Sequence, residues 1–191
     1  RLQKFAPDGK LLFCIGGRHP FVSPHGICID EFHNLYVADG GARRVVSYTA
    51  DGNRRGEFHL HAGNNLTLSS PQGVACDRQG NVYISDTLGN RIIKADQAGR
   101  IALYFGEEGI YKGDMGFPQD LTVDIDGGII IVELANHRLQ KFGADGRPVT
   151  IFPDGRQKVR LNSPSGVAVD PEGKVYISDT PNHRVLLLEA V

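Results

Sequence analysis

Histidine is the residue type in this sequence best suited to metal or acid–base chemistry, and seven are present. His59 and His61 alternate along one predicted strand, so they face the same side and supply two of the ligands that a zinc site needs. The spacing identifies no third ligand, and no Ser-His-Asp or paired-carboxylate set occurs at a usable spacing. The sequence therefore predicts a non-enzymatic binding protein without a cofactor or metal. The alternative is a metal-dependent enzyme that uses zinc or calcium.

Two segments between predicted strands carry the side chains best suited to contacting a partner. Residues 106–116 combine acids with a tyrosine, a lysine and glycines, and residues 155–160 are the one local cluster of basic residues. Variable loops on a rigid scaffold are the usual place for binding. We therefore predict that a protein, peptide or glycan partner is contacted by these loops. The residues predicted to contact it are Glu107, Tyr111, Asp114, Gln157, Lys158 and Arg160.

A repeat that occurs four times must position these segments. Its copies open as SPHGICID, SPQGVACD, FPQDLTVD and SPSGVAVD, and each is followed by a second apolar run that ends before an arginine. The prolines lie at positions 24, 71, 118 and 164, at intervals of 47, 47 and 46 residues. A fixed period of this length is typical of solenoids, propellers and other repeat arrays.

Short strands, not helices, fill each period. The second repeat contains GVACD, VYISD, RIIKA and RIALYF, separated by turns rich in Gly, Asp and Asn. Such runs predict an all-β fold, and four antiparallel strands per repeat form the blade of a β-propeller. We predict one propeller domain over residues 1–191, with a partial blade at 1–15. The following blades are predicted at about 16–62, 63–106, 107–152 and 153–191.

The second half of each repeat carries a recognisable motif. An aspartate ends one strand, an asparagine follows in the turn, and an arginine opens the next strand, after a Pro-x-Gly step earlier in the repeat. In these features the chain resembles the NHL-repeat β-propeller family. The match is best at Asp179, Asn182, His183, Arg184 and Val185, and next best at Asp86, Asn90, Arg91 and Ile92.

The resemblance implies a propeller but does not select a function. Members serve as substrate-recognition domains of ligases, RNA-binding domains, extracellular sensors or lyases, and fold alone cannot choose among these. An amidating-lyase-like activity would imply a metal held by histidines that project into the channel from several blades. Only His25 has a suitable axial position here. The lyase or hydrolase is therefore the second hypothesis, and an RNA-binding domain is the third.

We interpret the motif residues as structural. A carboxylate can accept paired N–H bonds from a guanidinium across a tight turn, which pins the turn. Asparagine at 90, 136 and 182 suits a turn position, because its side chain tolerates left-handed geometry and bonds nearby backbone. The structural set is Asp39, Arg44, Asp86, Asn90, Arg91, Asn136, Arg138, Asp179, Asn182 and Arg184.

The start of each inner strand is predicted to lie at the mouth of the central axis. Glycine at 26, 73 and 166 should allow close approach of these strands, whereas the third repeat has Asp120 there and Glu133 in place of the motif aspartate. Asp120 could bind a cation or accept a hydrogen bond from a ligand. The positions beside the prolines, predicted to form a polar ring with it, are His25, Gln72, Gln119 and Ser165.

The strand count leaves the closure of the ring open. The predicted strands form groups of two, four, four, four and three, whereas NHL-like propellers usually have six four-stranded blades. Three interpretations remain: a part of a longer chain, a closed ring of four blades, or an assembly of copies in which a partner completes the open edge. We favour the first and third interpretations over the free four-bladed ring.

Composition sets further bounds. The chain has 21 basic and 22 acidic residues and a net charge of −1, so no global field attracts it to nucleic acid. No apolar run of 18 residues predicts a membrane span. Cys14, Cys28 and Cys76 are predicted to fill the core unpaired, with Cys28 and Cys76 on opposite faces. The compartment stays open, although the sequon at Asn65 would suit an extracellular protein.

Overall fold

A computed structural model describes residues 1–17, 19–58, 66–155 and 158–189. Seventeen strands occur in these ranges, and the connections between them are turns and loops with three short 3-10 segments. The strands are Leu2–Phe5 (β1), Leu11–Ile15 (β2), Pro24–Ile29 (β3), Leu35–Asp39 (β4), Arg44–Tyr48 (β5), Arg54–Glu57 (β6), Pro71–Cys76 (β7), Val82–Asp86 (β8), Arg91–Ala95 (β9), Ile101–Phe105 (β10), Pro118–Val123 (β11), Ile129–Glu133 (β12), Arg138–Phe142 (β13), Pro148–Phe152 (β14), Gly166–Val169 (β15), Val175–Asp179 (β16) and Arg184–Leu188 (β17).

The strands form antiparallel sheets that follow the repeat. Strands β3–β6, β7–β10 and β11–β14 make three four-stranded blades, β15–β17 make a three-stranded fourth blade, and β1 pairs with β2 alone. Each blade is a meander, because its strands pair in chain order. The predicted all-β propeller with four-stranded antiparallel blades is confirmed. The described ranges contain no helix long and apolar enough to cross a membrane.

The core lies between the blades. Tyr36, Val45 and Phe58 of the first blade pack against Val74 and Ile84 of the second blade, and comparable clusters join the second blade to the third and the third to the fourth. A blade covered on both faces must be apolar on both, which explains why β8 and β12 are buried at every residue. This stacking holds the four inner strands, β3, β7, β11 and β15, around the axis.

The inner strands approach one another too closely for a side chain at two of the Pro-x-Gly glycines. A Cβ atom at Gly73 would lie 2.9 Å from the Asp120 Cα atom, and one at Gly26 would collide with the carbonyl oxygen of Gln72. Real Cβ atoms do not make such contacts, so glycine is required by the packing of neighbouring blades. The third inner strand has Asp120 at this position instead of glycine. The packing between neighbouring inner strands is therefore different there.

The cysteine prediction is wrong. Cys28 on β3 and Cys76 on β7 form a disulfide that links the inner strands of the first two blades. The repeat register placed them one step apart, but neighbouring inner strands converge around the axis and bring the two Cα atoms to 6.4 Å, a distance that a disulfide spans. Cys14 is free and exposed on β2 rather than buried in the core.

The three motif asparagines lie in turns, but only one of them has the left-handed conformation. The left-handed residue is Asn90 in the second blade but His137 and His183 in the third and fourth, with φ between 48° and 52°. Asn136 and Asn182 precede this position by one residue. Their side chains instead donate to the motif carboxylates, Asn136 to Glu133 at 2.6 Å and Asn182 to Asp179 at 2.8 Å.

The motif carboxylates tie each blade to the segment that enters it. Asp86 is fully buried, and one of its oxygens accepts the backbone N–H groups of Ser69 and Ser70, each at 2.8 Å. The other oxygen accepts from Arg91 Nε at 3.1 Å, and Arg91 Nη2 also donates to the Thr67 carbonyl at 2.8 Å. Corresponding pairs occur at Asp39–Arg44 and Asp179–Arg184.

Candidate functional site

Antiparallel pairing places the variable features on one side of the molecule. We call this side the upper rim: it contains the segments that enter each blade, the turns between the second and third strands, and the first residues of the inner strands. The lower rim contains the short turns between the first and second strands and between the third and fourth. Both predicted contact segments and the predicted axial ring belong to the upper rim.

The segment 106–116, which enters the third blade, is an ordered loop. The Met115 N–H donates to the Glu107 carbonyl at 2.7 Å, and the Gly109 N–H donates to the Met115 carbonyl at 3.2 Å. The Met115 side chain is fully buried in the cluster between the second and third blades, where it anchors the base of the loop. The tip carries Ile110 and Tyr111, which are 71% and 77% exposed.

Arg138 holds the tip of this loop by hydrogen bonds to its backbone. Its guanidinium donates to the backbone carbonyls of Ile110 at 2.5 Å, Tyr111 at 2.9 Å and Asp114 at 2.8 Å. The Arg138 side chain is only 9% exposed. Three backbone carbonyls bound to one buried planar cation fix the path of the loop, because the guanidinium has rigidly placed donors.

Glu133 and Gln140 complete a buried polar network. The fully buried Glu133 carboxylate accepts from Arg138 Nε at 2.8 Å, from Gln140 Nε2 at 2.6 Å and from the Gly116 N–H at 2.9 Å. Gln140 also donates to the Asp114 carbonyl at 2.6 Å and accepts the Gly113 N–H at 3.0 Å. The network therefore satisfies its own buried polar groups while it holds the loop.

The predicted contact residues have different surroundings. Glu107 and Tyr111 are exposed, whereas the Asp114 carboxylate accepts the Tyr111 N–H at 3.0 Å and so holds the turn at the tip. Lys158 and Arg160 are exposed in the segment that enters the fourth blade. No hydrogen bond or ion pair between described residues joins that segment to residues 106–116. Gln157 lies outside the described residues.

The predicted axial residues do line one cavity. It has a volume of about 230 Å³ and opens at the upper end of the inner strands. Gln119 Nε2 donates to Gln72 Oε1 at 3.4 Å, and the Ser165 hydroxyl lies 3.1 Å from that of Ser178. We call this cavity the axial mouth. Its lining residues are His25, Gly26, Gln72, Gln119, Asp120 and Ser165.

Asp120 stands where the axial mouth meets the channel between the inner strands. Its carboxylate accepts the backbone N–H of Val167 on β15 at 3.1 Å, which links the third and fourth blades. Burial raises the pKa of the Asp120 carboxyl, although the N–H groups of Val167 and Leu121 oppose that shift. The same carboxyl also lines the channel cavity below the axial mouth.

A metal centre gains no geometric support in the described part of the chain. No group of three His, Cys, Asp or Glu side chains in that part lies close enough together to hold a metal ion. His59 and His61, which begin the predicted metal site, lie outside the described residues.

Sequence reasoning missed Ile110 and Gln140. Gln140 occupies the third position of β13, and the other repeats place Val46, Ile93 and Leu186 at this position. A polar residue within an otherwise apolar column was the available signal. Ile110 had no comparable signal in the sequence, because only the structure shows that this apolar residue lies exposed at the tip of the loop.

Part of the sequence matches a known protein family. Residues 161–186 match the family model of the NHL repeat. This stretch contains Asp179, Asn182 and Arg184, which form the hydrogen-bonded turn of the fourth blade. The chain is a β-propeller that contains an NHL repeat. No curated protein matches the sequence of this propeller.

Several solved structures share the fold of this propeller. A catalytically inactive virginiamycin B lyase from Staphylococcus aureus with quinupristin has a TM-score of 0.71 and 16% identity, over 97% of this chain and 58% of the lyase chain. A chain of a nidogen/laminin complex has a TM-score of 0.72 and 21% identity, over 95% of this chain and 64% of that one.

A gluconolactonase from Xanthomonas campestris is similar to this propeller with a TM-score of 0.67 and 17% identity, over 92% of this chain and 61% of the enzyme chain. This chain therefore spans less than two thirds of the length of these three structures. Likeness at such identities shows the propeller fold, and the three proteins differ in activity.

Proposed function

We propose that this NHL-repeat propeller is a binding module that recognises a protein, peptide or glycan partner through its upper rim. The observation that carries the proposal is the buried network of Glu133, Arg138 and Gln140, which fixes the loop 106–116 while leaving Ile110 and Tyr111 exposed at its tip. Tyr111 is the central contact, and Glu107 at the edge of the loop, with Lys158 and Arg160 beyond it, adds charged contacts.

The physical reason lies in the cost of ordering a binding surface. A loop that is fixed before binding loses little conformational freedom when the partner arrives, which favours affinity. Tyrosine is enriched among the residues that dominate interface energies, because its large ring is rigid and carries a polar end. An exposed Ile-Tyr pair held by a buried ionic network is more readily explained by contact with a partner than by stability of the free protein.

The comparisons support a protein partner without selecting it. A propeller of this fold occurs in a nidogen/laminin complex, which is an assembly of proteins. Other propellers of the same fold are named as lyases and as a gluconolactonase. A second copy of this chain, meeting the open edge of a sheet, is included among the protein partners that the proposal allows.

The test screens the purified protein against a glycan array and against a displayed library of random 12-residue peptides. The affinity of the best ligand is then measured for the wild type, for Tyr111→Ser and for Phe32→Ser. Phe32 is the matched control because it is an aromatic residue, 68% exposed, in a lower-rim turn. We expect Tyr111→Ser to weaken binding about tenfold or more. A ligand whose affinity depends on Phe32 and not on Tyr111 would reject the upper rim.

The hypotheses of an enzyme and of an RNA-binding domain are tested on the same material. We propose that the protein needs no cofactor, so metal analysis after dialysis should give no stoichiometric zinc or calcium. Stoichiometric metal would instead favour the lyase or hydrolase. Binding of single-stranded RNA that weakens steeply with salt would favour the RNA-binding function, because each neutralised phosphate contributes to that slope.

A further inference from the structure

The third inner strand carries a carboxylate, Asp120, that no cation among the described residues balances. The other repeats have glycine at the position of Asp120, so the carboxylate is an addition to the axial mouth and not part of the repeat. Among the described residues Asp120 forms no ion pair, and its carboxylate accepts the backbone N–H groups of Val167 and Leu121. A half-buried carboxylate without a counter-charge is unfavourable, and the cost is relieved when a cation binds.

The axial mouth also offers neutral acceptors at the same place. Gln119 uses its amide nitrogen to bond Gln72, which leaves the Gln119 Oε1 atom without a bond from the described residues. Ser165 and His25 add a hydroxyl and an imidazole to the lining. An ammonium or guanidinium group donates several N–H bonds and carries one positive charge, and it therefore matches a carboxylate flanked by such acceptors.

The size of the axial mouth narrows the class of ligand. Its volume of about 230 Å³ is below the range of about 300–1,000 Å³ that is usual for pockets enclosing drug-sized molecules. It suits a group of a few heavy atoms, such as the end of an arginine or lysine side chain or a small free amine.

We infer that the axial mouth binds one organic cation, an ammonium or a guanidinium group, on the Asp120 carboxylate. The cation donates to the carboxylate oxygens and to Gln119 Oε1, while Val167 keeps its bond to Asp120. The inference goes beyond the proposed partner contact at residues 106–116 and does not depend on it, so either can fail without the other.

The test is a titration with ethylguanidinium chloride, followed by the 1H–15N signal of the Val167 amide, which donates to Asp120. N-ethylurea is the neutral probe of nearly the same shape. We expect a saturable shift of the Val167 signal with ethylguanidinium and none with N-ethylurea. Equal shifts with both probes, or no saturable shift with ethylguanidinium, would overturn the inference.

Three variants separate the charge from the structural bond. Asp120→Asn keeps an oxygen that accepts the Val167 N–H but removes the charge, and it should weaken ethylguanidinium binding at least tenfold. Asp120→Gly, which has the residue of the other repeats, should do the same and guards against misfolding of the first variant. Asp126→Asn removes an exposed carboxylate from the lower turn of the same blade and should leave binding unchanged. Full binding by a folded Asp120→Asn protein would contradict the inference.

The last titrations use calcium chloride and magnesium chloride. Saturation of the Val167 shift by either divalent ion, with no response to ethylguanidinium, would assign the axial mouth to a metal and overturn the organic cation. A dissociation constant in the millimolar range for ethylguanidinium is expected if the natural cation is a side chain that further contacts hold in place. Micromolar binding would assign a free small molecule of the same chemistry.

Discussion

The second and third blades show how one repeat serves two purposes. The second blade keeps the regular residues: Gly73 at the axis, the Asp86–Arg91 pair at the turn, and Ile93 in the core of its third strand. The third blade has aspartate, glutamate and glutamine at the corresponding positions. These replacements are Asp120, Glu133 and Gln140.

All three replacements lie toward the upper rim. The lower turns of the two blades remain alike: Asp77 accepts the N–H groups of Gln79 and Asn81, and Asp124 accepts those of Asp126 and Gly128. The third blade therefore retains the scaffold at one end and changes it at the other. The altered end holds the loop 106–116 and one wall of the axial mouth, which is why we assign function there.

The largest expected effect comes from the motif carboxylate of the third blade. Glu133→Gln leaves Arg138 buried without a counter-charge, and removing one partner of such a pair costs about 3–5 kcal/mol. Asp86→Asn in the second blade should cost about half as much, because the Arg91 side chain is 20% exposed and water screens its charge. Urea unfolding of both variants checks the difference. Equal losses would show that the two blades are held in the same way.

The next largest expected effect is the loss of stability on removing the disulfide. Cys28→Ser with Cys76→Ser releases a cross-link between residues 48 apart in the sequence and should lower the free energy of unfolding by about 2–4 kcal/mol. Cys14→Ser is the control and should have no effect, because Cys14 is free and exposed. Thermal unfolding without reductant measures both. A double variant as stable as the wild type would exclude a structural cross-link between the first two blades.

A third variant gives the third blade the core residue of the others. Gln140→Leu removes the bonds to the Asp114 carbonyl and the Gly113 N–H, and groups left buried without partners cost about 1–3 kcal/mol. Amide hydrogen exchange at residues 113–116 should become about tenfold faster, while exchange in β8 stays unchanged. Ile93→Val in the second blade is the matched control. Unchanged exchange in the loop would show that Gln140 does not hold it.

The smallest expected effect is the pH dependence of stability that arises from Asp120 and Asp124, near the two ends of β11. Burial raises the pKa of Asp120, so its ionisation opposes folding at neutral pH, and this opposition fades as the pH falls through its folded-state pKa toward its unfolded-state pKa. At Asp124, burial also disfavours the charge, but the Lys141 ammonium and the turn N–H groups outweigh it and lower the pKa. Its stabilising contribution is therefore present at neutral pH and is lost as the pH falls through the folded-state pKa.

Unfolding free energies of Asp120→Asn and Asp124→Asn between pH 2 and 7 test these opposite signs. At neutral pH, Asp124→Asn should be less stable than the wild type by about 1 kcal/mol, and the gap should close on acidification. Asp120→Asn should equal or exceed the wild type at pH 7 and lose any advantage in acid. On acidification, the unfolding free energy of the variant minus that of the wild type should rise for Asp124→Asn and fall or stay near zero for Asp120→Asn. A rise for both variants, or a fall for both, would contradict the assignment of the two carboxyls.

The repeat made most of the fold predictable. Proline spacing, strand length and turn residues defined the blades and the grouping of seventeen strands, because each blade is a local meander. The axial mouth was also predictable, since the residues beside each proline occupy equivalent positions around one axis. The Cys28–Cys76 link was not, because it depends on how far neighbouring blades converge. The loop network was missed because it joins residues 106–116 to side chains on β12 and β13.

Hydrogen exchange of the wild-type protein, with and without its selected ligand, tests the central claim most directly. The account predicts slower exchange on ligand binding at residues 107–116 and at the segment 158–162 on the upper rim, with no change in the lower turns at 31–34, 78–81 and 125–128. Slower exchange confined to the lower turns or to an outer strand would place the partner elsewhere and contradict the assignment of binding to the altered end of the third blade.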